Sequence, residues 1–119
     1  MRAGFLVMIG GAAGATIRWS VSEVLPYDPG RFPWATFIVN VIGCLLIGFA
    51  ARHFARGTDA WLGLAVGGLG GLTTFSAFAV ETRLLLADDR PMTALVYVAG
   101  TMIVGLAATE FARAGGSPT

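Results

Sequence analysis

Charged residues are scarce in this 119-residue chain, and several residue types are rare or missing. Only 13% of the residues are charged, about half the usual share of a soluble protein, and every basic residue is arginine. The net charge of +1 leaves no basic surface for nucleic acid. The single cysteine, Cys44, excludes a disulfide framework and a cysteine metal cluster. Because the sequence also lacks a Ser–His–Asp grouping and a lysine-bearing phosphate loop, we do not expect an enzyme.

Apolar residues are the largest class in the sequence. They make up 55% of the chain, and the mean hydropathy is +0.74. Such a composition predicts an all-α integral membrane protein, because helices satisfy their own backbone groups in lipid. A chain of this length has room for four spans of about 20 residues. We place them at about 3–24, 34–51, 61–86 and 92–111, within a single domain covering residues 1–119.

The third apolar segment contains an unusual stretch, Gly67–Glu81, which reads GGLGGLTTFSAFAVE. Each glycine weakens a helix by about 1 kcal/mol relative to alanine, and four of them precede two threonines here. In a bilayer, backbone released by a break is tolerated only where it is buried in protein or faces a hydrated site. We therefore predict that the third helix is broken in the Gly67–Thr74 region and that this break is functional.

Polar side chains recur at helical spacing within the spans. Asn40 lies in the middle of the second span, with Thr36 one turn before it. An amide at that depth either bonds a neighbouring helix or lines a pore, and the sequence favours neither. On the fourth span, Tyr97, Thr101 and Gly105 are four residues apart and share one face, which predicts a polar track. The alternative for Thr101 is a bond to its own helix backbone.

The first span contains a basic residue and a close-packing pattern. Gly10 and Gly14 form a GxxxG pair, which favours close approach of another helix in lipid. Arg18 lies near the end of the span beside Trp19. Composition favours a side chain that extends to the lipid headgroups, and the functional alternative is positive charge at the mouth of an anion path.

The arginines do not choose an orientation in the membrane. With four spans, four arginines lie on the side of the termini and four on the other side: Arg2, Arg52, Arg56 and Arg113 against Arg18, Arg31, Arg83 and Arg90. The positive-inside rule is then balanced, whereas a count restricted to the loops mildly favours the termini inside. A balance of this kind predicts dual topology, in which two inverted copies form an antiparallel homodimer, or the chain pairs with a sister chain of opposite orientation.

Three blocks of the sequence resemble the CrcB/Fluc family of fluoride channels. The blocks are GGAAGATIRW (Gly10–Trp19), PWATFIVNVIGCLLIG (Pro33–Gly48) and GGLGGLTTFSAFAVE (Gly67–Glu81). Their order and spacing resemble the family across all four spans. Members of this family are small four-span proteins of the bacterial plasma membrane. The resemblance implies an antiparallel homodimer with two fluoride pathways and a structural sodium ion at its centre.

The resemblance also implies roles for particular residues. The carbonyl groups of Gly70 and Thr73 would hold the sodium ion. Phe75 and Phe78 would line the pore, although a phenylalanine pair at this spacing is more often packing, and Asn40 would meet fluoride. Further hydrogen-bond donors along the pathway would be Thr36, Tyr97 and Thr101. The arginine at the vestibule would be Arg18.

The chain departs from the family pattern at three positions. Ala35 stands where glycine is usual, Ala77 where threonine is usual, and Gly105 where serine is expected. The last change removes a hydroxyl from one end of the polar track and leaves the central block intact.

The function implied by the resemblance is passive, fluoride-selective efflux that reduces fluoride toxicity. The alternative is a cation exporter of the small multidrug-resistance type, which also has four spans and dual topology. Such an exporter needs an acidic residue within the membrane. We place Glu23 and Glu81 near span ends, which argues against this alternative.

Overall fold

Four long apolar helices account for the fold. The structure, a computed structural model, describes residues 2–114. Within that range every regular element is helical, and four segments are long and apolar enough to cross a membrane: Arg2–Val24, Trp34–His53, Asp59–Ala87 and Pro91–Ala114. This confirms the predicted all-helical protein with four spans. The helix ends lie within three residues of the predicted ones.

The first, second and fourth spans are continuous helices: α1 (Arg2–Val24), α2 (Trp34–His53) and α6 (Pro91–Ala114). The third span consists of several pieces. It begins as α3 (Asp59–Trp61), widens into a π-helix (Leu62–Leu69) and returns to one α turn, α4 (Gly70–Leu72). Two extended residues follow before α5 (Phe75–Ala87) begins.

The non-helical residues of the third span are threonines, whereas the glycines before them are helical. Thr73 has φ −83° and ψ 154°, and Thr74 has φ −147° and ψ 113°. Gly67 and Gly68 belong to the π-helix, and Gly70 and its neighbour belong to α4. The departure from helix is therefore narrower than the predicted Gly67–Thr74 region. The glycines instead pack closely against α1.

Glycine surfaces join α1 to the third span. A Cβ atom on Gly14 would overlap the carbonyl oxygen of Gly68 and lie 2.7 Å from the amide nitrogen of Leu72. A Cβ atom on Gly10 would overlap the carbonyl oxygen of Gly63 and lie 2.8 Å from the amide nitrogen of Gly68. The backbones thus touch directly, as the GxxxG pair predicts.

The spacing of the Gly10 contacts fits a π-helix. Gly63 and Gly68 are five residues apart, which is the interval of a π-helical hydrogen bond. The α1 backbone therefore presses on one wide turn of the third span at the place where both segments lack side chains. Gly14 is the only residue that α1 buries within residues 2–114, so glycine contact dominates this interface.

A second helix pair, α2 packed against α6, forms the other half of the molecule. Gly48 on α2 lies close to the backbone at Thr109 on α6, and the Thr109 hydroxyl donates to the Cys44 carbonyl oxygen at 3.1 Å. The short helix α5 packs beside α6, where Leu85, Ala94 and Tyr97 form a buried cluster. The short helix α5 therefore belongs to the half of the molecule that contains α6, whereas the π-helix packs against α1.

Candidate ion pathway at the break in the third span

Asn40 on α2 binds the extended backbone of the break at Thr74. Its side-chain oxygen accepts a hydrogen bond from the Thr74 amide at 2.9 Å, and its Nδ2 donates to the Thr74 carbonyl oxygen at 3.2 Å. The Thr74 amide can only meet an oxygen, which fixes the orientation of the Asn40 amide. Nδ2 carries a second hydrogen, so one donor remains for another acceptor. Asn40 is thus both a clamp between helices and a potential ligand.

The carbonyl groups of Gly70 and Thr73 lose their normal helical donors at the break. The amide four residues after Gly70 is that of Thr74, which donates to Asn40. The amide four residues after Thr73 is that of Ala77, which donates to the Thr74 hydroxyl at 3.2 Å. Both residues line a cleft of about 260 Å³ between α2 and the third span. Carbonyl oxygens released in this way are suitable ligands for a hard cation.

Arg18 turns inward to the break. Its Nε donates to the Gly71 carbonyl oxygen at 3.1 Å, and the residue is half-buried. Together with Thr36 and Thr74 it lines a small cavity of about 70 Å³. The Arg18 Nε therefore faces the third span, whereas composition favoured a side chain that extends to the lipid headgroups. It brings a positive charge beside the released backbone.

Thr36 and Tyr97 converge on Glu81, a residue that the sequence analysis placed near a span end. The Thr36 hydroxyl donates to Glu81 Oε2 at 3.0 Å, and the Tyr97 hydroxyl donates to Oε1 at 2.9 Å. Tyr97 is fully buried and Thr36 is 7% exposed. The two predicted donors are therefore occupied by a carboxylate in this conformation.

Two sequence signals point to the inward position of Glu81. It lies three residues after Phe78, so a helix places both on one face. An acidic residue within a membrane segment is a functional candidate by default. The distance of Glu81 from the end of the span does not indicate whether its side chain faces the bundle, whereas its helical face does.

Thr101 contributes a hydroxyl that lacks a partner. Its Oγ1 is buried, and within the described range of 2–114 no group hydrogen-bonds to it. The alternative of a bond to its own helix backbone is therefore not seen. Gly105, one turn later, faces α2, because a Cβ atom there would lie 3.2 Å from the Cys44 sulfur. The track on α6 thus runs along the side that packs against α2.

The two phenylalanines of the TTFSAF block occupy different environments. Phe78 is half-buried, and its ring centroid lies 5.0 Å from that of Tyr97. Phe75 is 80% exposed, although its ring centroid is only 6.0 Å from that of Phe78. One ring therefore belongs to the cluster around Glu81, and the other projects from the surface of this chain.

The structure brings most of the predicted residues to the break and to the middle of α5. Asn40 bonds Thr74 just before α5, and Arg18 bonds Gly71 in α4. Thr36 and Tyr97 bond Glu81 halfway along α5, and the Phe78 ring packs on Tyr97. Gly70 and Thr73 open into the neighbouring cleft. Thr101 lies one turn further along α6, and Phe75 stands apart at the surface.

Comparison with known proteins identifies the family to which this chain is similar. Residues 5–113 match the family model described as "CrcB-like protein, Camphor Resistance (CrcB)". A relative from Nocardia farcinica, named "Fluoride-specific ion channel FluC 2", is 42% identical over 108 residues, which cover 85% of this chain and 75% of the relative. A relative from Novosphingobium aromaticivorans, "Fluoride-specific ion channel FluC", is 42% identical over 112 residues, or 89% of each chain.

A third relative, from Thermus thermophilus, has the same printed name, "Fluoride-specific ion channel FluC". It is 41% identical over 105 residues, which cover 85% of this chain and 84% of the relative. The family-model match, residues 5–113, extends through all four spans. The chain therefore belongs to the CrcB-like protein family.

Proposed function

We propose that this protein is a fluoride-selective channel that lets fluoride leave the bacterial cell passively across the plasma membrane. The relatives are named as fluoride-specific ion channels. The observation that carries the proposal is the Thr101 hydroxyl, which is buried and has no partner among the described residues. A buried hydroxyl without a partner costs about 1–3 kcal/mol, and a passing anion would recover that cost.

Neutral donors suit the transport of fluoride. The ion is small and holds its water strongly, so a pathway must replace that water with hydrogen-bond donors. Asn40 offers its second Nδ2 hydrogen, and Thr101 offers its hydroxyl. The edge of the Phe78 ring is electropositive and can face an anion without binding it tightly. Weak binding at several sites permits release, which conduction requires.

If fluoride passes Glu81, the hydroxyl groups that now bond this carboxylate must exchange it for the ion. Its carboxylate accepts from Thr36 and Tyr97, and a negative charge repels an approaching anion. We infer that fluoride takes over one of these hydroxyl donors while the carboxylate moves away. The hydroxyls of Thr36 and Tyr97 then serve the ion in turn. Substitution of Glu81 by glutamine would test this exchange by its effect on fluoride flux.

The pathway is incomplete in one chain, and we propose that an antiparallel homodimer completes it. Phe75 is exposed on this chain, next to Phe78, where a second copy would cover it. The carbonyl groups of Gly70 and Thr73 supply only two of the ligands that a hard cation needs. A second copy would supply two more carbonyl groups, so these residues would hold a structural sodium ion at the dimer centre. Two inverted copies would form two pathways.

Flux from liposomes tests the function. Purified protein reconstituted into vesicles loaded with fluoride should release it passively once the membrane potential is neutralised by a potassium carrier, as measured with a fluoride electrode. Vesicles loaded with chloride should retain their anion. Equal release of both anions, or no release of fluoride, would contradict the proposal.

One observation favours a second function, proton-coupled export of an organic cation. Glu81 lies inside the helix bundle, as the acidic residue of such an exporter would. Each of its two oxygens already accepts a hydroxyl hydrogen bond, however, so a cation would compete with Thr36 and Tyr97 for the carboxylate. Uptake of a lipophilic cation driven by a pH gradient in the same vesicles distinguishes the two functions.

Substitution of Phe78 by isoleucine should abolish fluoride flux, because a branched aliphatic side chain has no electropositive ring edge. Dimer formation should persist, since the change conserves apolar character. The matched control is Phe111→Ile, in which an exposed ring near the end of α6 is removed. Size-exclusion profiles and liposome flux check both variants. Normal flux through Phe78→Ile would assign the ring to packing.

A further inference from the structure

A cavity of about 650 Å³ lies at one end of the helix bundle, where α1 ends and where α2 and α6 begin. Its volume is within the range of about 300–1,000 Å³ that is typical of ligand sites. Four of its apolar lining residues are more than half exposed: Val24, Trp34, Met92 and Val96. A tryptophan at the end of a span is typical of the membrane interface. The cavity therefore lies at the level of the lipid headgroups.

This cavity is separate from the cluster around Glu81. Trp34 lines the cavity, whereas Thr36 bonds Glu81 on α5. Two residues that are two positions apart on an α-helix point about 200° apart, so the cavity and Glu81 lie on different sides of α2. The Phe32 ring also lines the cavity and packs edge-on against the buried Tyr97 ring, with the centroids 5.3 Å apart. A ligand in the cavity would therefore contact the Phe32 and Trp34 rings rather than the Glu81 carboxylate.

Charged groups of both signs lie in the loop that borders the cavity. Asp28 and Arg31 both line it, and the Arg31 Nε lies 3.2 Å from an Asp28 carboxylate oxygen. Gly30 turns the chain between them with a φ of +80°, and a Cβ atom there would lie 3.5 Å from the Arg90 Nε. Arg90 forms no ion pair among residues 2–114. Two guanidinium groups and one carboxylate are thus gathered beside an apolar cavity.

This combination of charges complements a zwitterionic headgroup. Guanidinium groups bind phosphate through two parallel N–H bonds, and a carboxylate binds a primary ammonium group. The Asp28 and Arg31 side chains are 65% and 80% exposed, and an exposed ion pair adds little to stability. Both groups can therefore turn to a ligand at small cost. A headgroup with a phosphate and no ammonium would instead leave the Asp28 carboxylate beside the phosphate.

We propose that this cavity binds a phospholipid with a primary ammonium headgroup, of the phosphatidylethanolamine class. The phosphate binds Arg31 and Arg90, the ammonium group binds Asp28, and an acyl chain lies along the exposed apolar wall. The bilayer supplies this ligand at the depth where the cavity opens. The inference requires only that the protein spans a membrane, so a failure of fluoride flux would leave it standing.

Native mass spectrometry of the delipidated protein in detergent tests the proposal. The probes are phosphatidylethanolamine and phosphatidylcholine with identical acyl chains, because the trimethylammonium group of phosphatidylcholine has no hydrogen to donate to Asp28. We expect phosphatidylethanolamine to bind about tenfold more tightly, the factor that corresponds to one hydrogen bond to a charged group. Equal binding of the two lipids would overturn the proposal.

Two variants test the charged groups separately. Arg31→Ala should weaken the binding of both lipids by about tenfold, because it removes a phosphate ligand. Asp28→Ala should abolish the preference for phosphatidylethanolamine. The matched control is Arg56→Ala, beyond the other end of α2, where the guanidinium lies 5.9 Å from the Trp61 ring centroid. Lipid binding by this control should equal that of the wild type, and an equal loss in Arg31→Ala and Arg56→Ala would overturn the site.

A second copy of the chain is the competing occupant of this exposed apolar face. In that case neither lipid would bind, and Arg31→Ala would lower the dimer fraction in size-exclusion chromatography. That result would overturn the lipid site. An unchanged dimer fraction together with weakened lipid binding would support it.

Discussion

Replacing Gly14 with alanine is expected to separate α1 from the third span and to prevent assembly of the protein. The added Cβ atom would overlap the Gly68 carbonyl oxygen, and neither backbone can move aside without breaking other glycine contacts. Overpacking of a tight interface costs about 1–3 kcal/mol or more, which exceeds the gain of about 1 kcal/mol in helix propensity. Folded yield in detergent and apparent unfolding temperature measure the effect.

The matched control for this prediction is Gly4→Ala on the same helix. A Cβ atom on Gly4 meets nothing within 4 Å, so only the helix propensity changes. We expect this variant to be as stable as the wild type or slightly more stable. If Gly14→Ala matched Gly4→Ala in yield and unfolding temperature, direct backbone contact between α1 and the π-helix would be refuted.

Substitution of Asn40 by alanine should reduce fluoride flux by about 10- to 100-fold. The change removes a donor that we propose for the ion, and a hydrogen bond to a charged group contributes about 1.5–3 kcal/mol. It also leaves the Thr74 amide and carbonyl without their partner on α2. A buried amide left unpaired destabilises the break by a further 1–3 kcal/mol or so. Flux and unfolding temperature should therefore fall together.

Val41→Ala controls for lost volume at the neighbouring position of α2. Val41 is half-buried, and alanine there deletes apolar contact without touching a hydrogen bond. Its flux should stay close to that of the wild type. Asn40→Asp separates the two roles of Asn40, because aspartate keeps an acceptor for the Thr74 amide and lacks the Nδ2 donor. Undiminished flux through Asn40→Asp would remove Asn40 from the ion pathway.

The sequence predicts the spans well because their signals are local. Long apolar runs require helices in lipid, and their lengths match the bilayer. The glycine pair on α1 likewise predicts a close helix contact, and its partners on the third span are the glycines that the same sequence displays. Each of these inferences needs only the residues of one segment.

The conformation at the break is not a local property, so the sequence places it only approximately. Glycine weakens a helix, but the α1 backbone packs against Gly67 and Gly68 and keeps them helical. Thr73 and Thr74 become extended where Asn40, 34 residues away in the sequence, supplies the hydrogen bonds that the helix gives up. A single segment does not reveal such a distant donor.

Side-chain direction explains the misplacement of Glu81. Because α5 begins only at Phe75, Glu81 lies within a short helix whose one face meets α2 and α6. A continuous third helix would have given that residue a different orientation. The interpretation of Thr36 and Tyr97 as open donors changes with it, since both hydroxyls now have a carboxylate partner. The assignment of these residues to fluoride remains a proposal.

The clamp between Asn40 and Thr74 has a consequence for how the protein is made. The third span cannot enter lipid alone with its kink formed, because the exposed amide and carbonyl of Thr74 would face hydrocarbon. The second span, which leaves the ribosome earlier, must already be inserted in the bilayer before the kinked third span can bond to it. We therefore expect the kink to form only once both spans are in the bilayer, when Asn40 can bond the Thr74 amide and carbonyl.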